Sequence, residues 1–194
     1  MSETDIDILP PAKKLSASSN EDKKWFVMRD LKRSNAKQPA YKMLEDRNVR
    51  VFTPMVWKLF IDKGKRVRKK VPYMQDLIFV YESRPVLDSI VQETSTFQYR
   101  YLRGSYMTPM TVRNAEMEWF IKATEELENP CYFTPEELTP DLVGRKVRII
   151  GGPLSEYEGR LQKLRGTRVK RLFVELPNLL TVSVEVSPEY IQLL

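Results

Sequence analysis

Histidine is absent from this 194-residue chain, and cysteine occurs once, at Cys131. A disulfide framework is therefore excluded, and so are the ordinary zinc sites built from histidine and cysteine. Histidine acid–base catalysis and nucleophile–histidine pairs are excluded with them. Neither GxGxxG nor GxxxxGK[ST] occurs, so no phosphate cradle of those types is encoded. Cys131 sits between Pro130 and Tyr132 with no basic neighbour to activate it, and it reads as an inert thiol. No catalytic residue, metal site or cofactor is expected. No apolar run approaches the ~18 residues of a membrane span, so no membrane partner is expected either. The first twenty residues carry Glu3, Asp5 and Asp7 where a signal peptide has a basic region, and a cytoplasmic location is the expectation.

What is present is a basic chain with a normal core composition. Thirty-two Lys and Arg against 26 Asp and Glu leave a net charge of +6, and 42% of residues are hydrophobic. The charge suits a nucleic-acid or ribonucleoprotein partner. The length fits one medium or two small domains. Residues 1–22 are rich in Ser and charge and poor in large apolar groups, which predicts a disordered tail.

Trp25-Phe26-Val27-Met28-Arg29 predicts a strand, and Ser34 and Asn35 offer cap chemistry for a helix carrying Ala36, Ala40, Met43 and Leu44. Val49-Arg50-Val51-Phe52 is extended again. Residues 55–61 and 66–71 then predict a hairpin turning at Asp62-Lys63-Gly64-Lys65. Residues 77–81 suit a central strand, 84–94 a helix, 97–102 a strand, and 113–127 a helix with Met117, Phe120, Ile121, Thr124 and Leu127 on its buried stripe. This order predicts an α+β fold whose N-terminal part (23–127) is an α/β sandwich over a mixed or antiparallel sheet. Pro130, Pro135 and Pro140 predict that 128–139 is a linker without regular structure. Residues 140–194 carry four or five short strand signals and predict a small β-barrel, opened by a hairpin with a Gly151-Gly152-Pro153 turn.

In order and spacing these pieces resemble the NusG superfamily over about residues 23–194. Trp25-Phe26-Val27, Val51-Phe52-Thr53-Pro54, the Gly64-Lys65-Arg66 turn and Leu77-Ile78-Phe79-Val80 look like its NGN domain. Gly144, Val147, Arg148, Ile149, Gly152, Pro153 and Gly159 look like its SH3-like KOW barrel. Thr53-Pro54-Met55 with Gly64-Lys65-Arg66 and Pro72 is most similar to the RfaH-like and UpxY-like antiterminators of polysaccharide loci. Two departures stand out. Gln75-Asp76-Leu77 replaces a Pro-Gly-Tyr or Pro-Asn-Tyr, and Asn178-Leu179-Leu180 falls where general members carry Phe-Gly-Arg. They speak against Rho or ribosomal-protein contacts and for narrower duty.

The resemblance implies a monomeric, non-catalytic elongation factor that suppresses pausing or termination. It implies docking on the clamp helices of the RNA polymerase β′ subunit through Phe52, Pro54, Met55, Trp57, Tyr73 and Met74, and on the β-subunit gate loop through Asp88 and Ser89. Trp, Tyr, Phe and Met in one cluster are also what a hot spot for a helical partner uses, although the same residues can simply fill a core. Lys63, Lys65, Arg66, Arg68, Lys69 and Lys70 place six cations in eight positions. They read either as a contact to non-template DNA or nascent RNA or as a solvated strand edge. Gly152, Pro153 and Gly159 are read as turn-forming structure. Arg160, Lys163, Arg165, Arg168, Lys170 and Arg171 give the barrel a basic face, and the alternative reading is a ribosome- or RNA-binding KOW protein acting in translation.

Overall fold

The computed structural model of the chain describes residues 23–32, 37–127, 129–164, 166 and 168–194. The predicted tail, 1–22, and the cap candidates Ser34 and Asn35 lie outside them.

Strand β1 (Lys24–Asp30) is buried on both faces. Side chains alternate along a strand, so Trp25 and Val27 enter one apolar cluster while Phe26 and Met28 enter another. β1 pairs antiparallel with β5 (Ile78–Glu82) on one edge, and β5 with the short β2 (Arg50–Phe52). On its other edge β1 pairs with β6 (Phe97–Tyr99) and with β7 (Thr111–Val112), a two-residue strand too short for any periodicity signal. Helices α1 (Ala40–Asp46) and α2 (Arg84–Glu93) cover the Phe26 and Met28 face, contributing Ala40, Leu44, Leu87 and Ile90. Helix α3 (Asn114–Glu125) covers the opposite face with Met117, Phe120 and Ala123.

α1 starts later than the cap chemistry of Ser34 and Asn35 predicts. Its cap position is Pro39, which offers no side-chain acceptor. The buried carboxylate of Asp30 substitutes, accepting from the Ala40 N–H at 2.7 Å and from the Lys32 N–H at 3.0 Å.

The predicted linker is corrected by the structure. Cys131–Phe133 forms strand β8, laddered antiparallel to β12 (Leu180–Val186), with Tyr132 opposite Val182. Tyr132 is buried and packs against Phe120 of α3. The prolines at 130 and 135 flank this strand rather than preventing it.

The C-terminal sheet runs β13 (Ile191–Leu193), β9 (Val143–Ile149), β10 (Glu158–Gln162), β11 (Lys170–Leu176), β12, β8, antiparallel throughout. No ladder among the described residues joins β13 back to β8, so the expected closed barrel is an open six-stranded path. α3 packs on β11 and β12, and Trp119 meets Tyr157 with centroids 5.8 Å apart. The Phe120 cluster therefore runs without a break from Trp25 and Phe79 to Leu172 and Val184. Among the described residues no helix is long and apolar enough to cross a membrane.

Gly152 has φ +67, the left-handed turn geometry that favours glycine. Gly159 is not a turn residue, contrary to expectation. It lies in β10, where an added Cβ would sit 2.6 Å from the Tyr157 ring and 2.8 Å from the Phe173 carbonyl oxygen. The expected result of Gly159→Ala is therefore overpacking at a backbone carbonyl, a loss of about 1–3 kcal/mol in urea unfolding. An unchanged midpoint would contradict that close approach.

Candidate binding surfaces on the hairpin and at its root

Strands β3 (Met55–Asp62) and β4 (Lys65–Pro72) form a sheet of their own. They pair residue for residue from Met55 opposite Pro72 to Asp62 opposite Lys65. Lys63 and Gly64 close the loop with φ 49 and 76, the double positive φ of a type I′ turn. At ~3.4 Å per residue, an eight-residue strand gives an arm of roughly 27 Å.

The register divides the charge run. Trp57, Leu59 and Ile61 on β3 lie opposite Lys70, Arg68 and Arg66 on β4, and directly paired residues share a face. One face is thus three apolar side chains beside three cations. Trp57 is 57% exposed, Leu59 63% and Ile61 79%. The Arg68 guanidinium lies over the Trp57 ring, 5.1 Å from its centre, in a cation–π contact. Lys65 and Lys69 belong to the other face, with Lys58, Phe60 and Val67, and Lys69 pairs with Asp62 at 3.8 Å. Lys63 is in the turn. The six cations are therefore not one patch. Leu59 and Ile61, missing from the sequence-level set, were legible in the alternation of β3.

At the root of the arm the expected docking residues separate. Phe52 is 8% exposed, packed between Phe79 and Phe120 with centroids at 6.3 and 6.1 Å, and belongs to the core. Pro54 is buried, and its carbonyl accepts from the Tyr73 N–H at 2.8 Å. Tyr73 stacks on Tyr132 at 5.1 Å, and its hydroxyl donates to Glu137 Oε2 at 3.2 Å. Burial, with Glu137 beside it, pushes the Tyr73 hydroxyl up. The Thr134 N–H, 2.8 Å away, and then Tyr73 hold the Glu137 carboxyl down. Burial pushes Tyr132 up to about 12, so both rings remain neutral at physiological pH. Met74 packs against the same cluster. Tyr73 thus faces the chain's own β8, while Met55, Trp57 and Lys70 line a cavity of about 390 Å³ with Phe52 and Tyr132.

Asp88 and Ser89 are not brought to this surface. They lie on α2, on the other side of the central sheet. Asp88 accepts from the Tyr99 hydroxyl at 2.9 Å and pairs with Arg84 at 3.6 Å, while Ser89 donates to the Pro85 carbonyl at 3.2 Å. On the C-terminal sheet, Arg171 is taken up internally, bonding Ser183, Glu185 and the Asn129 carbonyl. Pro153 lines a groove with Tyr190, which packs over Gly151 and Gly152. Arg165 lies outside the described residues.

A second cavity, of about 440 Å³, opens on the α1 side of the hairpin root and is lined by Lys32, Lys37, Lys42, Lys58 and Lys70. Only Lys70 was expected at a site. The others come from separate segments, and no local pattern in the sequence links them. Among the described residues no group of His, Cys, Asp and Glu could hold a metal ion.

No protein-family model matches the chain, and no curated protein matches it in sequence. Among solved structures the chain is similar to one described as "Domain interaction in Thermotoga maritima NusG", with 15% identity and a TM-score of 0.44. The match covers 91% of this chain and 99% of that one, a loose likeness that carries over no residue role, partner or activity.

Proposed function

We propose that this chain is a NusG-type transcription elongation and antitermination factor. It rides on RNA polymerase and acts as a non-catalytic clamp, and its target operons are of the polysaccharide type served by RfaH-like and UpxY-like factors. The observation that carries the reading is the hairpin face, on which Trp57, Leu59 and Ile61 stand exposed beside Arg66, Arg68 and Lys70. A rigid arm with an aromatic anchor, aliphatic neighbours and a cationic flank suits a large anionic assembly offering both protein and nucleic acid. The sequence resemblance supports the same partner. Binding energy that is larger for the elongating conformer than for the paused one shifts the polymerase by that difference.

Within this reading Met55 and Trp57 meet the β′ clamp helices. Tyr73 and Met74, half-buried at the root of the arm, border that contact. Asp88 and Ser89, on α2, serve the β gate loop from the opposite side of the sheet. Arg66 and Arg68 lie along upstream or non-template DNA. Reversing both charges is expected to reduce the slope of log affinity against log salt by about 2 in DNA-dependent recruitment assays, roughly one for each lost phosphate contact. Unchanged recruitment would remove nucleic acid from the account. The translation-factor reading rests on the basic face of the C-terminal sheet, which the internal bonding of Arg171 weakens. It would prevail if ribosomal subunits co-purified without polymerase.

A further inference from the structure

We propose that the lysine-lined cavity between α1 and the hairpin root binds the polyphosphate of a free nucleotide, a nucleoside triphosphate or a similarly charged analogue. Its lining brings Lys32, Lys37, Lys42, Lys58 and Lys70 around about 440 Å³, against a single carboxylate, Asp30. That carboxylate is already committed to the Ala40 and Lys32 N–H groups. Lys32 donates its ammonium to the Gln38 carbonyl at 3.0 Å. Among the described residues no hydrogen bond or ion pair engages the ammonium groups of Lys37, Lys42, Lys58 and Lys70. Lys37, Lys42 and Lys58 come to this one concave site from three separate segments, so it is not the solvated edge of a charge run, and their summed positive potential favours an anion there; Lys70 borders it from the Trp57 face of the hairpin.

The rest of the lining also suits a nucleotide. Tyr41 and Phe60 line the same cavity and offer apolar faces to a base. The volume lies in the usual range of small-molecule sites, about 300–1,000 Å³. Charge then separates the two sources of phosphate. A single strand brings about one negative charge per nucleotide, so the one nucleotide this cavity admits would leave most of the lysines unmatched. A triphosphate brings close to four, since its terminal phosphate alone carries about −1.5 to −2.

The test is fluorescence anisotropy of a methylanthraniloyl-labelled guanosine triphosphate with the full chain at about 0.15 M salt. Saturable binding is expected, competed by unlabelled triphosphate and by inorganic tripolyphosphate, and at least about tenfold less well by the monophosphate. The Lys42→Ala/Lys58→Ala variant should bind at least about tenfold more weakly, while Arg103→Glu/Arg145→Glu, at two exposed cations outside the cavity lining, binds as the unaltered chain does. Both lysines are exposed, so the variant keeps its fold. The proposal is overturned by absence of saturable binding, by equal loss in the two variants, or by oligothymidylate competing at the same nucleotide concentration as the triphosphate. The last outcome would make the cavity part of a strand-binding track. The measurement uses no polymerase, so its failure would leave the polymerase reading standing.

Discussion

Phe120→Ala is expected to lower the unfolding free energy by about 3–5 kcal/mol and to move the whole chain's transition, not half of it. Phe120 is fully buried on α3, touching Phe52 of the central sheet and Tyr132 of the C-terminal one. Its removal opens a cavity in an apolar cluster that runs through both sheets. Two domains joined by an unstructured linker would melt independently, and a change in the first would leave the second untouched. The continuous cluster predicts instead one cooperative transition, followed equally by tryptophan fluorescence and far-ultraviolet circular dichroism during urea unfolding. Two transitions, with only the earlier one shifted by the substitution, would contradict the packing of α3 between the sheets.

Trp57→Ala is expected to weaken binding to RNA polymerase by about 2 kcal/mol or more, roughly 30-fold, with stability unchanged within about 0.5 kcal/mol. The asymmetry follows from its position. Trp57 is 57% exposed on a hairpin that pairs with neither large sheet, so the folded chain loses little packing. Its ring carries the apolar side of the exposed face, and the Arg68 guanidinium loses its support when the ring goes. Affinity measured by biolayer interferometry against core polymerase, beside a denaturation curve of the same preparation, separates the two quantities. Equal affinity of variant and unaltered chain would place the contact elsewhere.

Much of the fold was legible because it is local. The Asp62-Lys63-Gly64-Lys65 turn, the apolar run around Phe79 and the stripe of α3 each carry their signal within a dozen residues. What escaped is non-local. β8 is three residues long between prolines, and its partner β12 lies about fifty residues further on, so nothing nearby marks Tyr132 as a core residue. α1 takes its cap from Asp30, ten residues back. The candidate surface divides in the same way. The family resemblance drew Phe52, Tyr73 and Trp57 into one set, but sequence cannot tell a ring that packs on Phe120 or Tyr132 from one that faces solvent. The six clustered cations were visible as a run, whereas their partition between two faces needed the β3–β4 register. The lysine cavity had no sequence signature, because its members meet only when α1, β3 and β4 are assembled.

The proposed function places RNA polymerase on the exposed face of the β3–β4 hairpin. Its most direct test is affinity capture from cells with the tagged full chain, beside its Trp57→Ala/Arg68→Glu counterpart, with the captured subunits quantified by mass spectrometry. The account predicts β and β′ captured in near-equal amounts with the unaltered chain and lost with the variant. Ribosomal subunits without polymerase, or polymerase captured equally by both, would contradict it.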